Sequence, residues 1–286
     1  ASLCFKSGNT VILKGGSEAF YSNFVLSKLF RKSLRKNSID ENFVQFINTK
    51  NRKTVDFLLV NMNKFIDVII PRGGKSLVKK VQDLSTIPII GHLEGICHSY
   101  VDKDANLQIA KKIIRNAKLR NTAICGATET ILFHEKIIKK IGNQILKDLE
   151  DNGCKIIGDN KIRKSYYKKI TKASVKDWSK EYLAPIVSVK SVKSIDEAIH
   201  HINKYGTMHT DCIITQNKKS AKKFLNEIKS SIAMHNTSTQ FADGGEFGFG
   251  GEVGISTNLL PPRGPVGLNQ LVSYKYQITS KGVIRK

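Results

Sequence analysis

FIDVIIPRGGKSLVKKVQDLSTIPIIG (65–91) decides the fold. Within its strand segments FIDVIIP (65–71) and IPIIG (87–91), the apolar runs VII and PII show no polar alternation, and a helix is predicted between them from about residue 74. Runs of this kind suit strands covered on both faces, so the stretch reads as one β-α-β unit of a parallel sheet. The same alternation extends upstream: strand TVILK (10–14), a helix over about 18–36, strand FVQFIN (43–48) and a helix near 52–62. Downstream lie a helix at 105–119, strand TETILFH (128–134) and a helix at 136–151. Strands at 154–157 and 185–190, a helix at 194–205, strand DCIIT (211–215) and a helix at 217–229 follow. The expected class is α/β, with helices flanking a parallel sheet, and nucleotide binding is the default use of such a sheet by analogy alone. A second unit is expected to begin near residue 120. Beyond residue 235, DGGEFGFGGEVGIST (243–257) and LLPPRGPVGL (259–268) are loop chemistry. LVSYKYQITSKGVIRK (271–286) alternates apolar and polar side chains and is expected to form an exposed strand or hairpin in search of a partner.

The chain has 286 residues, 40% hydrophobic and 25% charged, which excludes a small disulfide scaffold and a disordered tail. No stretch has the apolar length of a membrane span, and the first residues form neither a signal peptide nor a lipidation motif, so the cytoplasm is the expected compartment. Five cysteines, Cys4, Cys97, Cys125, Cys154 and Cys212, are scattered without a C-x-x-C pair. The net charge of +23 comes mostly from lysines dispersed over the predicted helices. No RNP aromatics, zinc finger or basic-helix-plus-heptad pattern accompanies them, so specific nucleic-acid binding is not expected, although nonspecific polyanion binding at low salt is.

Three local features carry chemistry. Cys125 is followed by the small residues Gly126 and Ala127, the access that a nucleophilic thiol needs; a lone loop cysteine is equally compatible with a structural role. PRGGKSL (71–77) sets Gly73 and Gly74 at a helix N-terminus, where backbone N–H groups can meet a phosphate, or where they simply make a tight turn. Lys14, before Gly15-Gly16-Ser17, can meet a ribose or phosphate or lie in solvent. His92, Cys97 and His98 in GHLEGICH (91–98) invite a metal reading, but strand geometry sends Cys97 and His98 to opposite faces, so no metal site is expected. His209 lies between a helix and a strand, as a pocket residue or a helix-end cap.

These strings, taken in order, resemble the gamma-glutamyl phosphate reductases, a branch of the aldehyde dehydrogenase family. The resemblance is carried by LCFKSGNTVILKGGSEA (3–19), DVIIPRGGK (67–75), HLEGICHSYVD (92–102), NAKLRNTAICGATETILFH (116–134), YGTMHTD (205–211), NTSTQF (236–241), DGGEFGFGGEVGIST (243–257) and RGPVGL (263–268). It implies three regions: a partial NADP-binding domain (1–120), a catalytic domain (121–262), and a C-terminal substrate loop with an oligomerisation strand (263–286). It implies that Cys125 attacks L-glutamate 5-phosphate, expels phosphate, and that NADPH reduces the thioester to glutamate 5-semialdehyde on the way to proline. His92 falls where hydrolytic relatives carry a water-activating Glu. Lys14 and Ser17 match the adenosine-ribose region, Ser17 standing where NAD-preferring relatives often have Glu, and Gly73 and Gly74 border the pyrophosphate. Asn236, Ser238, Thr239 and Arg263 match the loops expected to hold the glutamyl amino and carboxylate groups. Glu246 and Phe247 are expected to shape the same cleft.

The resemblance also implies a homo-oligomer and a possible association with glutamate 5-kinase. Relatives carry a Pro-Asn-Val motif upstream of the segment matching Ala1, whose Asn helps form the oxyanion hole; that Asn is not in these 286 residues. The cofactor domain is therefore expected to be incomplete here. An inactive or split-enzyme subunit acting in assembly, and another NADP-dependent semialdehyde dehydrogenase, stand as the alternatives.

Overall fold

The computed structural model describes residues 1–285. The first 96 residues are built from α1 (Ser2–Lys6), β1 (Val11–Leu13), α2 (Phe20–Lys36), β2 (Val44–Phe46), α3 (Lys53–Asn61) and α4 (Lys75–Leu84). Strands β1 and β2 pair in parallel, and α2 crosses between them. The two runs that pointed to the fold do not become full strands. They meet at a single parallel bridge, Ile69 with Ile89. Pro88 has no N–H to donate, and residues 68–71 are only half-buried, so neither run gains the two-sided cover expected of it.

The main sheet begins at β3 (Cys97–Val101) and continues through α5 (Leu107–Leu119), β4 (Thr128–His134), α6 (Asn143–Asp151), β5 (Lys155–Gly158), α7 (Asn160–Ser165) and β6 (Thr171–Lys172). It is completed by β7 (Ile186–Val192), α8 (Ile195–Tyr205), β8 (Thr210–Ile214), α9 (Lys218–Glu227) and β9 (Ile232–His235). Its seven strands run in the order β6-β5-β7-β4-β3-β8-β9, all in parallel. The domain boundary expected at 120 therefore does not match the sheet, because β3, which starts before it, lies at the centre between β4 and β8. Two short strands, β10 (Ile255–Ser256) and β11 (Gly264–Pro265), pair antiparallel beyond it.

Alternating side chains of the central strands feed two cores. Val101, Ile131, Phe133 and Ile214 pack with Ile113 and Ile114 of α5 and Leu146 of α6. Tyr100, Leu132 and Ile213 pack with Ile199 and Ile202 of α8 and Phe224 of α9. Both faces of the sheet are thus covered, which is why CHSYV, TETILFH and TDCII show little polar alternation. The helices start where side chains can cap them. Asn106 accepts from the N–H of Ile109 and Asn217 from that of Ser220. At α8 the Ser194 hydroxyl accepts from the N–H of Glu197, and the Glu197 carboxylate accepts from that of Lys193, one residue before the cap.

Residues 271–285 form no strand among the described residues, and Lys286 lies outside them. Tyr274, Tyr276 and Ile278 are at least 83% exposed, so the alternation of this segment finds no partner within the chain. Among the described residues no helix is long and apolar enough to cross a membrane.

Candidate active site

The parallel order sets the amino ends of β7, β4, β3 and β8 side by side. The segments entering these strands bring Glu181, Cys125, His92 and His209 together, at the opposite end of the sheet from the usual ligand crevice of open α/β folds. Ligand atoms of His92, Cys125 and His209 all lie within 4.8 Å of one another. The two imidazoles meet edge to face, with ring centroids 4.8 Å apart.

Cys125 is held by its backbone. The Cys97 thiol donates to its carbonyl oxygen at 3.1 Å. Gly95 lies flat against the same peptide: a Cβ there would stand 2.1 Å from the Cys125 oxygen, so only glycine fits. The N–H of Gly95 in turn donates to Glu181 Oε1 at 2.8 Å. Burial pushes the Cys125 thiol up to about 11; the carboxylates of Glu181 and Glu252 add to this, and the Arg72 guanidinium opposes it. His209 is fully buried, and burial, with His92 beside it, brings its imidazole down to about 3. Its Nδ1 faces Thr210 Oγ1 at 2.9 Å and Cys97 Sγ at 3.5 Å, while its Nε2 is buried without a partner. His92 Nδ1 sits 2.6 Å from the carbonyl oxygen of Ile255, which fixes Nδ1 as the donor and leaves Nε2 as the acceptor.

An open cleft of about 1550 Å³ runs from Lys14, Val11 and Leu13 past Ile69 to Arg72 and Glu252. It joins the segment expected to meet a dinucleotide to two residues whose charge acts on Cys125. Gly73 and Gly74 follow Arg72, and α4 starts at Gly74 with no side chain capping it. Among the described residues Lys14 Nζ bonds only the neighbouring carbonyl of Gly15. Ser17 is exposed, and its hydroxyl lies 3.4 Å from the Glu18 carboxylate. Glu18 therefore supplies a negative charge beside the residue whose lack of one was the reason for expecting NADP.

The expected substrate residues divide. Asn236 lies past the carboxyl end of β9, opposite Cys125, and both ends of its amide are bound to the backbone of Thr215. Thr239 is fully buried, with its hydroxyl 3.0 Å from that of Thr128 and its carbonyl under Gly126. Gln240 bonds the carbonyls of Ala117 and Asn121, so this loop braces the cysteine loop from beneath. The side chains of Asn236 and Thr239 thus have structural partners in place of the expected substrate. Ser238 is half-buried and caps the turn 239–241. Arg263 is exposed at the amino end of β9, on the same side as Cys125, where it donates to Ser231 and the Lys229 carbonyl. Glu246 is exposed and Phe247 half-buried. Arg72, Glu181 and Glu252 were not singled out for their charge, because only tertiary contact brings them to Cys125.

The Aldehyde dehydrogenase family model matches residues 2–160 and 168–258. Gamma-glutamyl phosphate reductase of Bartonella tribocorum is 45% identical over 285 residues, 100% of this chain and 69% of that protein. The chain belongs to the aldehyde dehydrogenase family, in its gamma-glutamyl phosphate reductase branch. The enzyme of that name from Bradyrhizobium sp. is 46% identical over 99% of this chain and 66% of its own length. The chain thus spans about two thirds of these relatives. The crystal structure of the gamma-glutamyl phosphate reductase of Thermotoga maritima superposes with a TM-score of 0.96 at 40% identity, covering 99% of this chain and 68% of that one. An acetylating aldehyde dehydrogenase of Geobacillus thermoglucosidasius, 16% identical with a TM-score of 0.71 over 98% of this chain and 72% of its own, shares the fold alone. This aldehyde dehydrogenase family is one of oxidoreductases that use NAD or NADP.

Proposed function

We propose that the protein reduces L-glutamate 5-phosphate to L-glutamate 5-semialdehyde with NADPH, through a thioester on Cys125. The observation that carries this reading is the meeting of Cys125, His92 and His209 at the head of three adjacent strands in a gamma-glutamyl phosphate reductase relative.

The Cys125 thiol must lose its proton to attack, and burial opposes that loss. His92, whose Nδ1 donates to the Ile255 carbonyl, offers its Nε2 lone pair within the cluster to receive it. The sulfur attacks the acyl carbon, the bond to the phosphate oxygen breaks, and phosphate leaves. His92 stands where a hydrolytic relative would carry a carboxylate to activate water. With Nδ1 tied to Ile255 it adds no negative charge there, which suits an intermediate that must not hydrolyse.

The residues fit a dinucleotide. The first N–H groups of α4 are free of side-chain caps, a Cβ at Gly74 would meet nothing within 4 Å, and Lys14 lines the same cleft as Arg72. The bound NADPH would supply the hydride that reduces the thioester. Lys14 and Ser17 would receive the ribose and its 2′-phosphate, and Gly73 and Gly74 the pyrophosphate. Arg263, with the bidentate fork that suits a carboxylate, and Ser238 are the better placed candidates for the glutamyl end. The exposed segment 271–285, with its bare Tyr274, Tyr276 and Ile278, supports pairing with a second copy of the chain.

The test is the reverse reaction. The purified protein, given glutamate semialdehyde in equilibrium with pyrroline-5-carboxylate, NADP and phosphate, is expected to form NADPH only when phosphate is present. Cys125→Ser is expected to fold and to be silent. Turnover without phosphate would point to another semialdehyde dehydrogenase, and turnover in Cys125→Ser would remove the thiol from the mechanism.

A further inference from the structure

His92, Cys125 and His209 have a chemical capacity beyond acyl transfer. Two imidazole nitrogens and one sulfur within 4.8 Å of one another are the donor set of a three-ligand zinc site with an open fourth position. Their other atoms are already committed in the way metal ligands require. His92 Nδ1 donates to the Ile255 carbonyl, so its Nε2 is the free lone pair, and His209 Nδ1 is taken up by the Thr210 hydroxyl, which leaves Nε2 as the nitrogen open to a metal. His209 Nε2 is an independent sign of a missing partner: it is buried, on a fully buried residue, with no hydrogen-bond acceptor or donor among the described residues. Cys97 does not compete for this role, since its thiol is turned to the Cys125 carbonyl.

We propose that His92, Cys125 and His209 form a binding site for a thiophilic divalent cation of the Zn²⁺ class, which holds the Cys125 sulfur as a thiolate and blocks its use as a nucleophile. A tetrahedral zinc with nitrogen ligands at about 2.0–2.1 Å and sulfur at about 2.3 Å needs its ligands closer together than the outer limit of 4.8 Å. Half-buried His92 and Cys125 can supply that movement by side-chain rotation, while His209 stays fixed in the core. The charges of Glu181 and Glu252 act on the sulfur and favour a cation, and Arg72 opposes it. The fourth position is left for water. Binding converts S–H to S–metal, and the thiol proton leaves to solvent, with no redox change. Binding itself is independent of the proposed reaction; only its inhibitory effect rests on that reading.

The experiment uses the metal alone. The protein is titrated with Co²⁺, whose thiolate charge-transfer absorption reports sulfur ligation, and then with Zn²⁺ in competition, while proton release is measured. The expected result is one metal per chain, a thiolate charge-transfer band displaced by Zn²⁺, and about one proton released. Cys125→Ser is expected to lose the band, whereas Cys97→Ala keeps it. His92→Ala and His209→Ala are each expected to weaken binding by about a hundredfold or more, since even outer-shell partners are worth about 10–100-fold. Because His209 is buried and its removal threatens the fold, the half-buried His92 and the near-isosteric Cys125→Ser carry the decision. A Co²⁺ complex without the charge-transfer band overturns the proposal, and so does a band that survives Cys125→Ser or an affinity unmoved by His92→Ala.

Discussion

The thiol of Cys97 donates to the carbonyl oxygen of Cys125 at 3.1 Å, so one buried cysteine holds the backbone of the proposed nucleophile. Cys97 is fully buried, and burial, with Asp211 next, raises its own pKa well above that of a free thiol; it serves as a hydrogen-bond donor and not as a second nucleophile. Cys97→Ala removes that donor and is expected to lower kcat about three- to tenfold, the worth of one modest hydrogen bond. Cys97→Ser, whose hydroxyl also donates, should recover most of the loss. The KM for the dinucleotide should not move, because Cys97 does not line the cleft. Steady-state kinetics of the two variants checks this, and a change confined to KM would defeat it.

The charges around Cys125 set the pH at which its sulfur reacts. Burial, Glu181 and Glu252 hold the proton on, and Arg72 helps it leave. In the protein without metal, labelling of Cys125 by iodoacetamide should therefore rise steadily through neutral and alkaline pH. Glu252→Gln removes a negative charge, lowers the thiol pKa and should speed labelling at pH 8 by about two- to tenfold, as a shift of up to about one unit would. Arg72→Met acts in the opposite direction and should slow it. Peptide mass spectrometry distinguishes Cys125 from the other partly exposed thiol, Cys4. A slower Glu252→Gln would reverse the electrostatic assignment.

On the proposed dinucleotide site, cofactor choice would turn on the pair Ser17 and Glu18. Their side chains are 3.4 Å apart, so a carboxylate already stands where a 2′-phosphate would add a second negative charge. Glu18→Gln is expected to lower the KM for NADP while leaving that for NAD nearly unchanged, and Ser17→Glu to raise the KM for NADP more than that for NAD. Each effect should be a few-fold, because both side chains are exposed and screened by salt. Equal effects on the two cofactors would remove both residues from 2′-phosphate recognition.

The parts of this molecule that were legible in its sequence are those set by local pattern. Strands β3, β4 and β8 and helices α5, α8 and α9 fall where apolar runs and helical periodicity indicated, because burial on both faces leaves its mark in each segment. The bridge at Ile69 and Ile89 shows the limit: the same apolar pattern forms only one pairing where a proline interrupts donation and cover is incomplete. The site was legible in Cys125 and its small neighbours. Glu181 was not, and His209 only as a pocket residue or a helix-end cap, because strand order, and not spacing, brings residues 56 and 84 positions away to the same end of the sheet. Asn236 and Thr239 mark the converse, since polar side chains in a loop that matches a family motif are here bonded to the Thr215 backbone and the Thr128 hydroxyl.

Behind the cysteine loop, Lys118 Nζ meets Glu129 Oε2 at 2.6 Å, with both side chains at most 1% exposed. Burial raises the Glu129 carboxyl, and Lys118 pulls it back down, so the charge on one residue depends on the other. Glu129 Oε1 also accepts from the N–H of Leu183, tying the segment that carries Glu181 to the start of β4. Lys118→Met removes the compensating cation from a dry site and is expected to destabilise the protein by about 3–5 kcal/mol. The double variant Lys118→Met with Glu129→Gln should recover much of that loss, because a neutral amide can keep the bond to Leu183 without a buried charge. Denaturant titration of the single and double variants measures the difference. Additive losses would mean that the two side chains do not act as a pair.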